Sequence, residues 1–153
     1  MAYRITDEPE KSRLAHLTVR PTMVLLSLML GGAWIAYPWF ALNGFAMGSP
    51  TRRREAALCA LGFVGALVLV LGLGALLTFT PVPREAAKYL ALVVVVFKLG
   101  IGYRVTMLQD RTFPIYEHFG GTVRNALPIL GAAFLGRLAI LELLPGFWAL
   151  VLG

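Results

Sequence analysis

Four long apolar runs dominate the chain and constrain what it can fold into. They cover residues 22–42, 56–77, 86–108 and 123–144, and each is close to the roughly 20 residues that a helix needs to cross about 30 Å of hydrocarbon. In lipid such a run must be helical, because a lone strand would leave its backbone donors and acceptors unpaired. The runs therefore predict an all-α membrane protein, a bundle of four transmembrane helices.

The composition agrees with a bilayer environment. Hydrophobic residues make up 58% of the chain and charged residues 14%, with a mean hydropathy of +0.75, whereas an average globular domain is about 25% charged. The net charge of +6 is interpreted as arginines near anionic lipid headgroups. Because no basic stripe with interleaved aromatics lies outside the apolar runs, membrane lipids and not nucleic acids are the expected partners.

The remaining residues divide into a tail and one domain. Residues 1–20 form a polar N-terminal tail that lacks the apolar region and cleavage pattern of a signal peptide. Residues 21–153 form the four-helix transmembrane domain. After Pro145, the segment to Gly153 either extends the fourth helix past a kink or lies along the interface with Trp148 as its anchor. The sequence leaves both arrangements open.

Small and aromatic residues indicate how the helices meet and where they end. Gly62 and Ala66 are four residues apart, the spacing that lets helix backbones approach closely, and Gly102 is a third candidate for such packing. The single cysteine, Cys59, excludes an internal disulfide and is interpreted as a small buried hydrophobe. Three aromatics around Pro38 predict the headgroup-level end of the first helix: Trp34, Tyr37 and Trp39.

The lysines and arginines do not orient a four-span bundle. In that arrangement the tail lies on the same side as the loop between the second and third helices. That side carries six cations: Arg4, Lys11, Arg13, Arg20, Arg84 and Lys88. The other side also carries six: Arg52, Arg53, Arg54, Arg104, Arg111 and Arg124. Because positively charged loops face the cytoplasm, this tie leaves the orientation open.

A lysine lies in the middle of the third run. At a helix centre Lys98 costs roughly 2.5–3.5 kcal/mol to insert, and each apolar residue of 92–97 returns about 0.3–0.6 kcal/mol, so insertion is feasible. At about 100° per residue, Lys98 shares a face with small and polar residues: Ala87, Ala91, Val94, Gly102, Val105 and Gln109. The lysine is therefore predicted to face the bundle or a partner helix rather than lipid.

The fourth run carries two more charges, Arg137 near its middle and Glu142 near its end. They are about 140° apart around the helix and do not pair on one face. In an antiparallel hairpin of the third and fourth helices, Lys98 lies within about a turn of the level of Arg137, and Glu142 lies about 12 Å deeper. Two cations at one level require an acceptor: helix-end carbonyls, a bound anion or a carboxylate of another subunit. Intramembrane charges mark functional sites by default, and structural pairing is the alternative.

A polar linker between the third and fourth runs holds the most reactive side chains, at one membrane face. They are Gln109, Asp110, Arg111, Tyr116, Glu117 and His118. Asp110, Glu117 and His118 are chemically able to bind a divalent metal or lipid phosphate or to act as acid and base. One histidine and two carboxylates lack the spacing of a metal site, and no nucleophile–base set, phosphate loop or cysteine pair occurs. The sequence predicts neither a metal, nor a cofactor, nor an enzyme, and a solvated loop is the alternative interpretation.

Three segments together resemble a group of known proteins. They are Asn43 to Arg54, with its glycine and its Arg-Arg-Arg-Glu-Ala-Ala cluster, then Gln109, and then His118-Phe119-Gly120-Gly121. The combination resembles small four-span bacterial membrane proteins that carry no assigned activity. The resemblance implies a multi-pass protein of the bacterial inner membrane and implies nothing about chemistry.

Three functions are compatible with these features. The first is a non-enzymatic accessory or scaffold component of a membrane assembly, a homo- or hetero-oligomer held by helix packing and intramembrane charges. The second is a small oligomeric transporter or channel, with Lys98 and Arg137 along an anion or proton path. The third is a lipid-headgroup-binding or lipid-active protein that uses the linker from Arg111 to His118.

Overall fold

The chain is helical throughout the part that the structure describes. The computed structural model describes residues 12–80, 83–143 and 150–153. A 3₁₀ helix at Ala15–Leu17 precedes five α-helices: α1 Pro21–Gly31, α2 Ala33–Ala46, α3 Arg52–Phe79, α4 Arg84–His118 and α5 Leu127–Leu143. No strand occurs in these ranges, so the all-α prediction is confirmed. Two of the helices, α3 and α4, are long and apolar enough to cross a membrane.

The first apolar run is not the single helix predicted for residues 22–42. It forms α1 and α2, of 11 and 14 residues, which at 1.5 Å per residue are about 16 and 21 Å long. The break is at Gly32, whose φ of 91° and ψ of −175° fall in a region that is essentially restricted to glycine. The Gly32 N–H still donates to the carbonyl of Leu28, and this bond ends α1.

After Gly32 the chain turns back, so α1 and α2 form an antiparallel hairpin. The backbone N–H of Val19, just before α1, donates to Oδ1 of Asn43, near the end of α2, at 3.0 Å. The tip of this hairpin lies inside the protein, where Gly31 contacts Ala133 of α5. The first run therefore enters and leaves at the same end of the molecule.

The directions of the long helices follow from their contacts with this hairpin. Gly44 lies against Glu55, and Gly62 lies against Tyr37, so α3 is antiparallel to α2. The hydroxyl of Tyr37 donates to the carbonyl of Lys98, and Asn43 bonds with Gln109 farther along, so α4 is parallel to α2. The hairpin tip consequently lies at the level of the middle of α3 and α4, which we call the tip level.

The last helix, α5, runs parallel to α1. The backbone N–H of Arg124 donates to the carbonyl of Thr18 at 2.8 Å, and Ala133 lies beside Gly31. Three connecting segments therefore lie at one end of the bundle, which we call the N-terminal face: residues 12–20, 47–51 and 119–126.

The helix ends depart from the predicted boundaries at α4. Pro114 lies inside α4, and residues 109–118, predicted to belong to a linker, are helical. Proline removes one backbone hydrogen bond from this part of α4, and the burial of Phe113 and Tyr116 offsets that loss. The helix ends at His118, two residues before Gly120, whose φ is 78°. The backbone N–H of Gly120 donates to the carbonyl of Glu117 and that of Gly121 to the carbonyl of Tyr116, the pair of bonds that defines a Schellman motif.

The fourth predicted helix begins later than residue 123. Residues 121–126 contain no helix, and α5 starts at Leu127, whose backbone N–H donates to Oδ1 of Asn125 at 3.0 Å. The hydroxyl of Tyr116 lies 3.0 Å from the carbonyl of Thr122 and 3.2 Å from that of Ala15. These bonds hold the segment against the N-terminal face.

The predicted packing residues lie at helix contacts. Gly62 leaves room for the ring of Tyr37, and Gly102 for the side chain of Leu28. Ala66 is fully buried in an apolar cluster with three valines: Val70, Val94 and Val151. The thiol of Cys59 is also buried. Tyr37 is buried as well, so the aromatics around Pro38 do not mark the outer end of a helix, because the chain has already turned back at Gly32.

The two chain ends are described in part. Residues 1–11 of the predicted polar tail lie outside the described residues, as do residues 144–149, which include Trp148. Leu150 to Gly153 pack at the tip level, with Gly32 in contact with Leu152 and Gly153. This final segment is therefore inside the bundle.

Replacing Gly32 by alanine tests the hairpin. A Cβ at Gly32 would meet the main chain of Leu152 and Gly153, and a non-glycine residue in this backbone region costs about 1–3 kcal/mol. We expect Gly32→Ala to lower the free energy of unfolding in detergent by about that amount. Gly131→Ala is the matched control, since a Cβ there meets no atom within 4 Å and alanine favours a helix by about 1 kcal/mol. Equal stability of the two variants would contradict the strained turn.

Candidate functional site

Lys98 lies inside the bundle at the tip level. Its side chain is 4% exposed, on the same face of α4 as the buried residues Val94, Val105 and Gln109. Its Nζ donates to the carbonyl of Leu150 at 3.1 Å and also to the main-chain oxygen of Gly153. Main-chain oxygens of the last described segment therefore satisfy two of the three ammonium donors.

Arg137 of α5 reaches the same level from the other side. Its Nη1 donates to the carbonyl of Met29 at 3.2 Å. Met29 is in the last turn of α1, where unpaired carbonyls carry the partial negative charge of a helix end. The guanidinium thus stabilises the C-terminal turn of α1, just before the turn at Gly32.

A cavity of about 200 Å³ separates the two cations, and we call it the tip cavity. Its walls are otherwise apolar or main chain: Leu28, Met29, Val95, Leu99 and Gly153. None of the described residues that line it is acidic. Two cations therefore face a small space, and their described hydrogen-bond acceptors are the oxygens of Met29, Leu150 and Gly153.

Glu142, the third predicted intramembrane charge, does not belong to this cavity. It is exposed near the end of α5, five residues beyond Arg137 and therefore about 7.5 Å farther along the axis. The structure brings Lys98 and Arg137 together and leaves Glu142 apart.

A second polar centre lies near the N-terminal face, around the fully buried carboxylate of Glu55. Its Oε1 accepts hydrogen bonds from the hydroxyls of Ser49 at 2.6 Å and Thr51 at 2.7 Å. Its Oε2 accepts one from Nε2 of Gln109 at 2.9 Å. Gly44 permits this approach, because a Cβ there would collide with Oε2.

Gln109 joins this carboxylate to the hairpin. Its Nε2 also donates to the carbonyl of Phe40 at 2.7 Å, and its Oε1 accepts from Nδ2 of Asn43 at 3.0 Å. Asn43 in turn accepts from the backbone of Val19. We call these hydrogen-bonded side chains the Glu55 cluster: Asn43, Ser49, Thr51, Glu55 and Gln109. The cluster connects α2, α3, α4 and the segment before α1.

Sequence reasoning found Gln109 but missed the other members of the Glu55 cluster. In the sequence, Glu55 belongs to the charged Arg-Arg-Arg-Glu cluster that precedes the second apolar run. A signal was present, because Glu55 lies on one helical face with three small residues that the structure buries: Cys59, Gly62 and Ala66. A carboxylate in line with a packing face predicts burial with hydrogen-bond donors from neighbouring helices.

The predicted linker residues are distributed around the last turns of α4. Gln109 and Tyr116 point inward and are buried, whereas the charged members and the histidine are exposed: Asp110, Arg111, Glu117 and His118. Glu117 and His118 are two turns from Asp110, about 10 Å along the axis. Within the described residues, no group of three or more His, Cys, Asp or Glu side chains is placed to hold a metal ion.

Comparisons with protein-family models, with curated proteins and with solved structures found no match to this chain.

Replacing Gln109 by leucine tests the Glu55 cluster. The change leaves Oε2 of Glu55, Nδ2 of Asn43 and the carbonyl of Phe40 without the bonds that Gln109 supplies, and each unpaired buried group costs about 1–3 kcal/mol. We expect the free energy of unfolding in detergent to fall by roughly 3 kcal/mol or more. Asp110→Asn, at the neighbouring exposed position, is the control and should change stability by less than about 0.5 kcal/mol. A Gln109→Leu variant as stable as this control would refute the cluster.

Proposed function

We propose that this chain is an integral membrane protein that binds a small anion within the bilayer and forms part of a transporter or channel. The tip cavity carries this proposal, since Lys98 and Arg137 both line it and no described lining residue is acidic.

A belt of exposed apolar side chains supports the membrane placement. Members on three helices include Val68 of α3 (61% exposed), Val96 of α4 (63%) and Leu135 of α5 (67%). Soluble monomers rarely expose large contiguous apolar patches, whereas hydrocarbon favours them. In this placement α3, α4 and α5 cross the bilayer. The hairpin α1–α2 is re-entrant, meaning that it enters from the N-terminal face and returns to it.

With a re-entrant hairpin, the lysines and arginines are no longer equally divided between the two membrane faces. Seven described arginines then belong to the N-terminal face: Arg13, Arg20, Arg52, Arg53, Arg54, Arg111 and Arg124. The opposite end of α3 and α4 has two cations in its described part, at positions 84 and 88. By the positive-inside rule, the N-terminal face lies in the cytoplasm.

Cysteine accessibility tests this topology. In a Cys59→Ala background, we expect Ser12→Cys and Thr122→Cys to react with a membrane-impermeant thiol reagent from the same side of oriented vesicles. Thr80→Cys should react from the other side, because α3 lies between the two ends. A four-span bundle predicts instead that Ser12 shares its side with Thr80, and that labelling pattern would overturn the re-entrant hairpin.

The charges at the tip cavity favour an anion over a cation. In an apolar interior, electrostatic interactions are several-fold stronger than in water, and two cations that face one space repel each other and any further cation. Their described acceptors are the oxygens of Met29, Leu150 and Gly153, and no Asp or Glu side chain lines the described part of the cavity. A volume of about 200 Å³ suits an anion of a few heavy atoms, such as chloride or nitrate, with one or more waters.

Anion flux into proteoliposomes tests the function. We expect the wild-type protein to carry chloride or nitrate, and Lys98→Met and Arg137→Gln each to lower the flux by about tenfold or more, because each charge contributes more than about 1.4 kcal/mol to anion affinity. Arg104→Gln, an exposed arginine on α4, is the control and should keep most of the flux. Wild-type flux in both cavity variants would refute the site, and a wild-type protein without flux would refute the function.

Glu142 favours a second candidate, an accessory subunit of a membrane assembly. An exposed carboxylate on an apolar helix is costly against lipid, and a basic side chain of another subunit would remove that cost. Leu143 beside it is 79% exposed, so the same surface has apolar area for contact. Absence of anion flux together with stable co-purification of another membrane protein would favour this candidate over transport.

A further inference from the structure

A second cavity lies at the N-terminal face, between the start of α1 and the start of α5. It has a volume of about 220 Å³ and lies far from the tip cavity, which is at the other end of α1. The residues that matter for its chemistry are Arg20, Met23, Arg124, Asn125, Leu127 and Leu130. We propose that this cavity binds one anionic glycerophospholipid, whose phosphate contacts the two arginines.

The order of side chains along the cavity matches the order of groups in a phospholipid. Arg20 precedes the first residue of α1, and Arg124 precedes the start of α5. Met23 and Leu127 are one turn farther in, and Leu130 is another turn beyond, at about 4.5 Å per three residues. Because α1 and α5 run in parallel, polar groups lie at one level and apolar groups lie below it. A headgroup phosphate and the start of an acyl chain require this arrangement.

The charged donors for the phosphate come from side chains. Pro21 and Pro128 in the first turns of the two helices have no N–H, and Oδ1 of Asn125 is already bonded to the backbone of Leu127. Arg20 and Arg124 are exposed, and the structure gives neither guanidinium a hydrogen bond or ion pair with another described residue. A guanidinium binds phosphate oxygens with two parallel hydrogen bonds, so the two arginines supply both the charge and the geometry.

The cavity is held in shape by backbone bonds. The N–H of Arg124 donates to the carbonyl of Thr18, which keeps the two arginine-bearing segments together. The hydroxyl of Tyr116 lies within hydrogen-bond distance of both Ala15 and Thr122. These contacts hold the non-helical residues 121–126 beside the start of α1, where this segment lines the cavity.

This inference rests on the membrane placement proposed above and is independent of anion transport. Loss of lipid binding with intact anion flux would remove only the lipid site. Loss of flux with intact lipid binding would remove only the proposed transport function.

Lipid retention measured by native mass spectrometry tests the site. Protein in neutral detergent is titrated with phosphatidylglycerol and, separately, with phosphatidylcholine, and we expect one tightly held phosphatidylglycerol per chain. A surface arginine contributes about 1 kcal/mol to binding of an anionic lipid, so Arg20→Gln combined with Arg124→Gln should weaken retention about 30-fold. Arg53→Gln combined with Arg54→Gln is the control, since these exposed arginines lie on the same face outside the cavity, and it should retain the lipid.

Photo-cross-linking and competition with phosphate test the site in the wild-type protein, without the double variant. A photoactivatable phosphatidylglycerol should cross-link in wild-type protein to residues 20–24 and 123–130, and cross-links confined to other helices would overturn the site. Inorganic phosphate at the same concentration should not displace the lipid. If phosphate alone raised the melting temperature of the protein as much as phosphatidylglycerol, the ligand would be free phosphate and the lipid proposal would be wrong.

Discussion

The turn at Gly32 is the constraint on which the rest of the structure depends. A positive φ at this position ends α1 after 11 residues and sends α2 back along it, so both ends of the hairpin lie at the N-terminal face. Any side chain at Gly32 would also meet the main chain of Leu152 and Gly153. Glycine is thus required twice, for the backbone conformation and for the close approach of the final segment. Arg137 of α5 and Lys98 of α4 both lie at the level of this turn.

Two charged side chains, Glu55 and Lys98, are buried at different levels of the bundle, and Arg137 is half-buried at the level of Lys98. Lys98 and Arg137 bond to main-chain oxygens at the tip level, and Glu55 bonds to two hydroxyls and an amide near the N-terminal face. A buried charge without hydrogen bonds is costly, and the donors and acceptors around these groups reduce that cost. Glu55 therefore links helix ends near the N-terminal face, whereas the two cations line the tip cavity.

Sequence reasoning predicted the helical class, the apolar runs and a face of α4 that carries Lys98, because these depend on local composition and on the period of the helix. It could not predict the hairpin, since Gly31 and Gly32 within an apolar run are compatible with both a continuous helix and a turn. The choice is made by tertiary contacts, including the hydrogen bond from Val19 to Asn43. The Glu55 cluster was missed for a related reason: Ser49, Thr51 and Gln109 meet only after three helices have been positioned.

The hairpin formed by the first run also explains why a four-span bundle has equal numbers of lysines and arginines on its two sides. A helix that crosses the bilayer places its two ends on opposite sides, whereas a re-entrant hairpin returns the chain to the side from which it came. If residues 22–42 crossed the bilayer, the tail would lie opposite the segments 47–51 and 119–126. In the structure the described part of the tail lies at the same end as both segments, so the cations of these three segments belong to one face. With the hairpin in place, seven described arginines share a face with the Glu55 cluster and with the cavity between α1 and α5. The same turn at Gly32 that shapes the tip cavity thus also gives the proposed membrane placement a single orientation.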